Sequence, residues 1–227
     1  MTPDGWCGDH GDVNFSLSPI RIAGALIVPI LALTSCSIVT TPGPMRTESR
    51  TVSGFSKVEL AGSGDLTIDQ TGSESLTIEA GEKVLPNLTS DVVGDTLVLG
   101  AVLARGSRVS YHLTVKDLVG LTVSGSGGVT APKISADALS SDISGSGTIT
   151  VGGSVPEQRL TISGSGTYQA GDLAGKTLRA DISGSGNAVV SVSDALDVTI
   201  SGSGSLTYSG DPTVQKDISG SGSVTKK

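Results

Sequence analysis

The chain has few of the residues that do chemistry. Two histidines, two cysteines, one tryptophan, three tyrosines and two phenylalanines are spread over 227 residues. Two cysteines cannot build a disulfide framework or a four-cysteine metal site. Fifteen Lys and Arg stand against 22 Asp and Glu, a formal charge of −7, and an acidic surface does not recruit phosphate backbones, so no nucleic-acid partner is expected. No apolar run reaches the ~20 residues that a spanning helix needs. Glycine and serine are what abound, 32 and 34 of them. Such a composition can mean a flexible chain, but 37% hydrophobic residues suffice for a core. The arrangement has to decide.

The N-terminal region reads as an address. Ile22 to Leu33 is apolar, follows Arg21 and leads into Leu33-Thr34-Ser35-Cys36. A run of that length fits the h-region of a secretory signal. The tetrad resembles a bacterial lipobox, which implies that Cys36 becomes the lipid-modified first residue of the mature chain. Residues 1–35 are therefore expected to be a lipoprotein signal peptide. The nineteen residues before Ile20 hold no Lys or Arg, so translation is expected to start downstream of residues 1–12. Residues 36–48, with Pro42-Gly43-Pro44 and no periodicity, read as a lipid-anchored tether. The membrane is thus the first expected partner, through Cys36. Ser37 is not aspartate, so the inner-membrane retention rule of some Gram-negative lipoproteins does not apply. The outer membrane or cell surface is favoured.

The rest is a repeat. Ser-Gly-Ser-Gly begins at Ser124, Ser144, Ser163, Ser183, Ser201 and Ser219, and Ala61-Gly62-Ser63-Gly64 is an earlier relative. So regular a period means one supersecondary unit used again and again. The residue before each tetrad is Val123 or an isoleucine, and apolar residues alternate with polar ones on both sides. That is the period of a strand. Each unit then runs strand, tight corner, strand and looser return. The expected fold is all-β, a single-stranded right-handed parallel β-helix with ~19-residue rungs. GSG corners rest on Gly62, Gly64, Gly125, Gly127, Gly145, Gly147, Gly164, Gly166, Gly184, Gly186, Gly202, Gly204, Gly220 and Gly222, because glycine alone takes positive φ without steric cost.

Two positions before the tetrads stand Thr122, Asp142, Thr161, Asp181, Thr199 and Asp217. On successive rungs ~4.8 Å apart, neighbouring carboxylates would repel by about 1–3 kcal/mol. Interposed threonines double the spacing, and their hydroxyls are expected to donate to the acids. The alternation supports one tetrad per rung. Single spaced carboxylates make a poor calcium site, and no metal is expected. The inward position beside this ladder reads Leu121, Ser141, Leu160, Ala180, Val198 and Lys216, large against small as stacked layers require. Lys216 and Lys226, in inward positions of the final rung, are a device against edge-to-edge pairing. The repeat is expected to end at Lys227 without a cap, with docking of a partner or a second subunit on that end as the alternative. Residues 49–227 form one domain in this reading, irregular over 49–120, with about three degenerate rungs between Ala61 and Ser124, and regular over 121–227.

The block Arg50-Thr51-Val52-Ser53-Gly54-Phe55, with Val58, AGSG, Asp65-Leu66-Thr67-Ile68 and the later GSG corners, resembles the GIN-domain family. Its members are also called putative auto-transporter adhesin head domains. The resemblance covers roughly residues 49–227. It implies a right-handed β-helix with GSG marking the turn between sheets, no recognised catalytic residues and a role in adhesion. It supplies no functional positions to carry over.

Catalysis is not expected. After Cys36 the chain holds one histidine, His112, within a strand, so neither a serine triad nor a zinc cluster can be assembled. Asp65 and Asp69 share a strand face, yet acids on an exposed strand are usually solvated. Sugar clefts favour aromatic platforms, and only Phe55, Tyr111, Tyr168 and Tyr208 are available, the last two in inward positions. No cofactor is implied. The reading that remains is a non-catalytic, envelope-anchored adhesion or binding module for an unknown protein or glycan ligand, with homo-oligomerisation through the open end in view. A structural or stress-related periplasmic protein docking on a membrane partner is the alternative, and a carbohydrate-active enzyme comes third.

Overall fold

The computed structural model describes residues 43–101 and 108–227. The expected signal peptide, Cys36 and most of the expected tether lie outside the described residues. No α-helix occurs among the described ones. The chain enters through β1 (Met45–Arg50), then β2 (Lys57–Gly62) and β3 (Asp65–Gln70) around the AGSG corner. It continues through β4 (Ser75–Gly81), a one-turn 3-10 helix at Leu85–Asn87, β5 (Leu88–Val93), β6 (Thr96–Ala101) and β7 (Val109–Val115). The regular part follows as β8 (Gly120–Gly125), β9 (Gly128–Ser135), β10 (Ala138–Gly145), β11 (Thr148–Ser154) and β12 (Glu157–Gly164). Next come β13 (Thr167–Gly184) and β14 (Asn187–Gly202), each running unbroken from one side of the coil to the other. The chain ends with β15 (Ser205–Ser209), β16 (Thr213–Gly220) and β17 (Ser223–Lys226).

Stacking is parallel and in the register that the repeat demands. Gly120 lies beside Ser140, Ala138 beside Glu157, Glu157 beside Thr177, Thr177 beside Ala195 and Ala195 beside Thr213. The fold is a β-helix wound from one chain. Its interior is filled by the apolar half of each alternation: Ile143, Ile162, Ile182 and Ile200 lie directly over one another and are buried. Each such side chain contributes about 1.5–3 kcal/mol. Size alternation works as expected at Ser141, whose small side chain leaves room for Tyr168 in the next coil, the two hydroxyls 3.5 Å apart. Burial pushes the Tyr168 phenol up to about 12. Tyr208 and the apolar residues of the last coil, Val214, Ile218 and Val224, are only partly buried.

The two glycines of each corner have different jobs. The first, as at Gly164, has φ +122°, and a Cβ there would sit 2.5 Å from the Gly145 carbonyl oxygen of the preceding coil. The second, as at Gly166, has no positive φ; instead a Cβ would lie 2.4 Å from the Ile143 side chain below. The expectation that both supply positive φ is therefore corrected for the second set, Gly64 with φ +150° being the exception. Backbone bonds run straight through the corners: Ser165 N–H donates to Gly145 and Thr167 N–H to Gly147, at 2.8 and 2.9 Å. The corners are thus part of the ladder, as backbone groups kept from water must be.

The N-terminal end departs from the expectation of three degenerate rungs. β2 and β3 stack directly on β8 and β9, although 57 residues lie between the members of each pair in the chain. The intervening β6 and β7 lie on the far side of β2 and β3. Antiparallel β4 pairs with β7, β1 with β4 and β5 with β6, closing this end. β1 begins at Met45, four residues inside the expected tether. Its Arg46, Glu48 and Arg50 stand opposite Ala80, Ile78 and Leu76. Arg50 donates to the Leu88 and Leu85 carbonyls at 2.7 and 3.1 Å and to Ser90 at 3.1 Å.

Candidate functional site

Alternation along the strands before the corners assigns each residue a place. In β10, β12, β16 and the second halves of β13 and β14, the first, third and fifth residues point outward. The fifth residues form the expected ladder, every step in register, and it extends one coil further to Glu59 beside Thr122. Acid and threonine therefore alternate over seven coils. The hydroxyls that reach the acids are not the threonines': Ser124 donates to Glu59 at 3.1 Å and Ser140 to Asp142 at 3.3 Å. Serines in the adjoining columns, one two residues along the same strand and one on the next coil, come within reach of the acids instead. Asp181 lies instead 3.6 Å from Arg159 and 3.7 Å from Arg179, and Arg179 donates to Asp197 at 3.2 Å.

The first outward residue of these coils is small or short in four cases, Ala138, Thr177, Ala195 and Thr213, and long only at Glu157. A groove of about 540 Å³ results, crossing the strands along the stack. The small outward residues form its bed, with the buried side chains of Leu139, Leu178 and Leu196 beneath them in the core, and Arg159 and Arg179 stand on one wall. Gln158 takes the place of a leucine in that inner column; its amide donates to the Val155 carbonyl at 3.2 Å. Both arginine side chains remain more than half exposed, at 58% and 56%. Sequence reasoning missed the groove. Its signal was the run of small residues four places before the acid or threonine of the ladder, which becomes visible only once the register is known.

His112, Asp65 and Asp69 share the outer face of the paired strands β7 and β3 as diagonal neighbours. His112 is exposed on β7, opposite Thr67 and Thr77. Asp65 and Asp69 are exposed on β3. Tyr111, Tyr168 and Phe55 are buried in the core. Among the described residues no group of three His, Cys, Asp or Glu side chains is placed to hold a metal ion. The corner glycines and the Thr–Asp ladder are brought together as two parallel columns. No described helix is long and apolar enough to cross a membrane.

Solved structures share this architecture. A lipid binding protein, so named as putative, from Parabacteroides distasonis is 25% identical, with a TM-score of 0.56 over 82% of this chain and 97% of that one. A putative adhesin from Bacteroides fragilis is 21% identical, with a TM-score of 0.59 over 81% and 96%. A putative adhesin from Parabacteroides distasonis is 22% identical, with a TM-score of 0.55 over 82% and 98%. The last two show likeness of fold alone. No curated protein matches the chain in sequence. The family model described as putative auto-transporter adhesin, head GIN domain, matches residues 54–212. With its stacked GSG corners and that match over most of its length, the chain belongs to the GIN-domain family.

Proposed function

We propose that the protein is a non-catalytic binding module of the bacterial cell envelope, an adhesin-like head held by lipid on Cys36 and presented at the cell surface. The observation that carries this reading is the regular outer face: seven coils set side chains of one column in register, next to an open groove, on a scaffold of an adhesin-head family. A repeating rigid surface gives many weak contacts in fixed geometry, which is what multivalent attachment uses. The relative named for lipid binding widens the ligand classes in view to include amphiphiles.

The test is protease shaving of intact cells against a lysed control, with detection of peptides from residues 49–227, combined with adherence of cells lacking the protein. Cleavage on intact cells and loss of adherence on deletion are the expected results. Protection until lysis would sink the surface reading and leave a periplasmic module docked on a membrane partner. Retention in the soluble fraction of a Cys36→Ala variant, with the native chain in the membrane fraction, checks the anchor separately.

A further inference from the structure

The C-terminal end of the stack presents an edge whose side-chain pattern selects what can cover it. β16 pairs with β14 on one side, and among the described residues nothing pairs with its other edge. Val214, Lys216 and Ile218 are the residues of β16 that alternation turns toward the core. Their counterparts one coil earlier, Leu196, Val198 and Ile200, are buried. Val214 and Ile218 are only partly buried, and Lys216 is exposed. The edge thus offers unpaired N–H and C=O groups beside an aliphatic, a cationic and an aliphatic side chain in a row. Among the described residues no carboxylate pairs with Lys216, whereas Lys226 is held by Asp211.

A second copy of the chain does not match this row. Residues directly opposite each other in a sheet share a face. A two-fold pairing of β16 with itself that sets Val214 against Ile218 therefore sets Lys216 against Lys216. The adjoining in-phase registers set Lys216 against Val214 or Ile218 and leave its charge uncompensated. Asp217 lies on the outer face and cannot answer it. Head-to-tail stacking fails as well. The columns that end in Lys216 and Val224 begin, at the N-terminal end, with Val92 and Glu48. A charge would again lie over an aliphatic side chain, now in both sheets. A foreign strand with a carboxylate opposite Lys216 and aliphatic residues two places to either side satisfies all three positions. Its main chain supplies the hydrogen bonds and its alternate side chains the selectivity, while like charge turns basic segments away. We propose that the outer edge of β16 accepts an extended acidic–aliphatic segment of a partner protein by strand addition, with Lys216 as the selecting residue. The site requires neither lipid on Cys36 nor display at the cell surface.

NMR titration of the purified, isotope-labelled chain tests this, with a peptide that copies the eight residues of Thr213–Gly220 but carries Lys216→Glu. Amide shifts should move saturably within β16 and stay fixed from β8 to β12. The unaltered peptide should bind at least about tenfold more weakly. In the chain variant Lys216→Glu the preference between the two peptides should reverse. Lys216 is exposed, so that variant should melt as the native chain does. Binding of the acidic peptide by the native chain should also weaken as salt is raised, a readout that needs no variant. Absence of saturable shifts at millimolar peptide, shifts centred away from β16, salt-insensitive binding, or an unreversed preference in a folded Lys216→Glu variant would each overturn the proposal. Concentration-dependent dimerisation of the native chain through β16 without peptide would overturn it too, since a second copy would then be the occupant.

Discussion

The two ends of the stack meet the same physical problem in different ways. Any β-helix ends in a strand with unpaired N–H and C=O groups and in a cross-section of core. At the N-terminal end, antiparallel β1, β4 and β5 cover the first coils, and Arg50 ties the 3-10 turn and the start of β5 to β1 through three hydrogen bonds. At the C-terminal end, β16 and β17 are added like any other coil and nothing among the described residues lies beyond them. Both outermost strands nevertheless carry charges at places that elsewhere face the core: Arg46, Glu48 and Arg50 on β1, Lys216 and Lys226 on β16 and β17. Lys226 is paired with Asp211, which holds the lysine above and the aspartate below their ordinary ranges. Closure by extra structure and protection by charge are therefore separate devices. One end uses both, the other only the second.

Breaking the regular middle should cost more than breaking either end. Gly186→Val places side-chain atoms where Cβ alone would already be 2.5 Å from Ile162. It should destabilise by about 3 kcal/mol or more and lower Tm by about 10 °C, read by calorimetry. A native-like melt would show that the second corner glycine is not required for packing.

Arg50→Ala removes bonds from a cation to two carbonyls and a hydroxyl, an expected loss of about 2 kcal/mol. Hydrogen exchange should then quicken in β1 and β5 and stay unchanged from β10 onward. Uniform quickening along the chain would mean that the cap and the coils open as one unit, and the contrast between the ends would lose its basis.

Tyr168 offers a pH probe of the middle alone. Its folded-state value is raised by burial to about 12, so the neutral phenol's contribution is fully present below the unfolded value near 10. It is lost as pH rises through about 12. Tm should fall between pH 10 and 12 in the native chain and fall less in Tyr168→Phe, followed by circular dichroism. Identical alkaline profiles would assign the loss to other groups.

The smallest effect on stability, and the most telling about the open end, comes from Lys216→Val with Lys226→Val. Both residues are exposed, so stability should change by no more than about 1 kcal/mol. Light scattering should detect end-to-end association that the native chain resists. A variant that stays monomeric at high concentration would show that the lysines are merely solvated.

How much of this was legible in the sequence varies along the chain. The regular coils could be read because one residue class at each step has one cause: isoleucine for the core, glycine for the corner, threonine or aspartate for the outer column. The N-terminal end could not. β2 and β8 share the template, yet nothing local to Lys57–Gly62 says that its second neighbour will be β6, forty residues later, lying on the opposite side. Periodicity reports which face a residue takes and is silent on stacking order when the chain doubles back. The hydroxyl partners of the acids were misassigned for a related reason: a one-dimensional alignment shows neighbours within a column and hides those in the column beside it. The groove is a property of three columns at once, and so it emerged only with the register.

The doubled-back course at the N-terminal end also gives the stack a direction. A load applied at the C-terminus meets β17 and then β16, and each coil can be peeled away one row of backbone bonds at a time. A load applied at Met45 meets β1, whose six residues pair with β4 over its full length. Beyond it, β2 and β3 are clamped between coils made later in the chain. The molecule is in this sense a ratchet for unravelling, weak to traction at its last residue and resistant at its first. A head tethered from the N-terminal side would carry force through the end that holds.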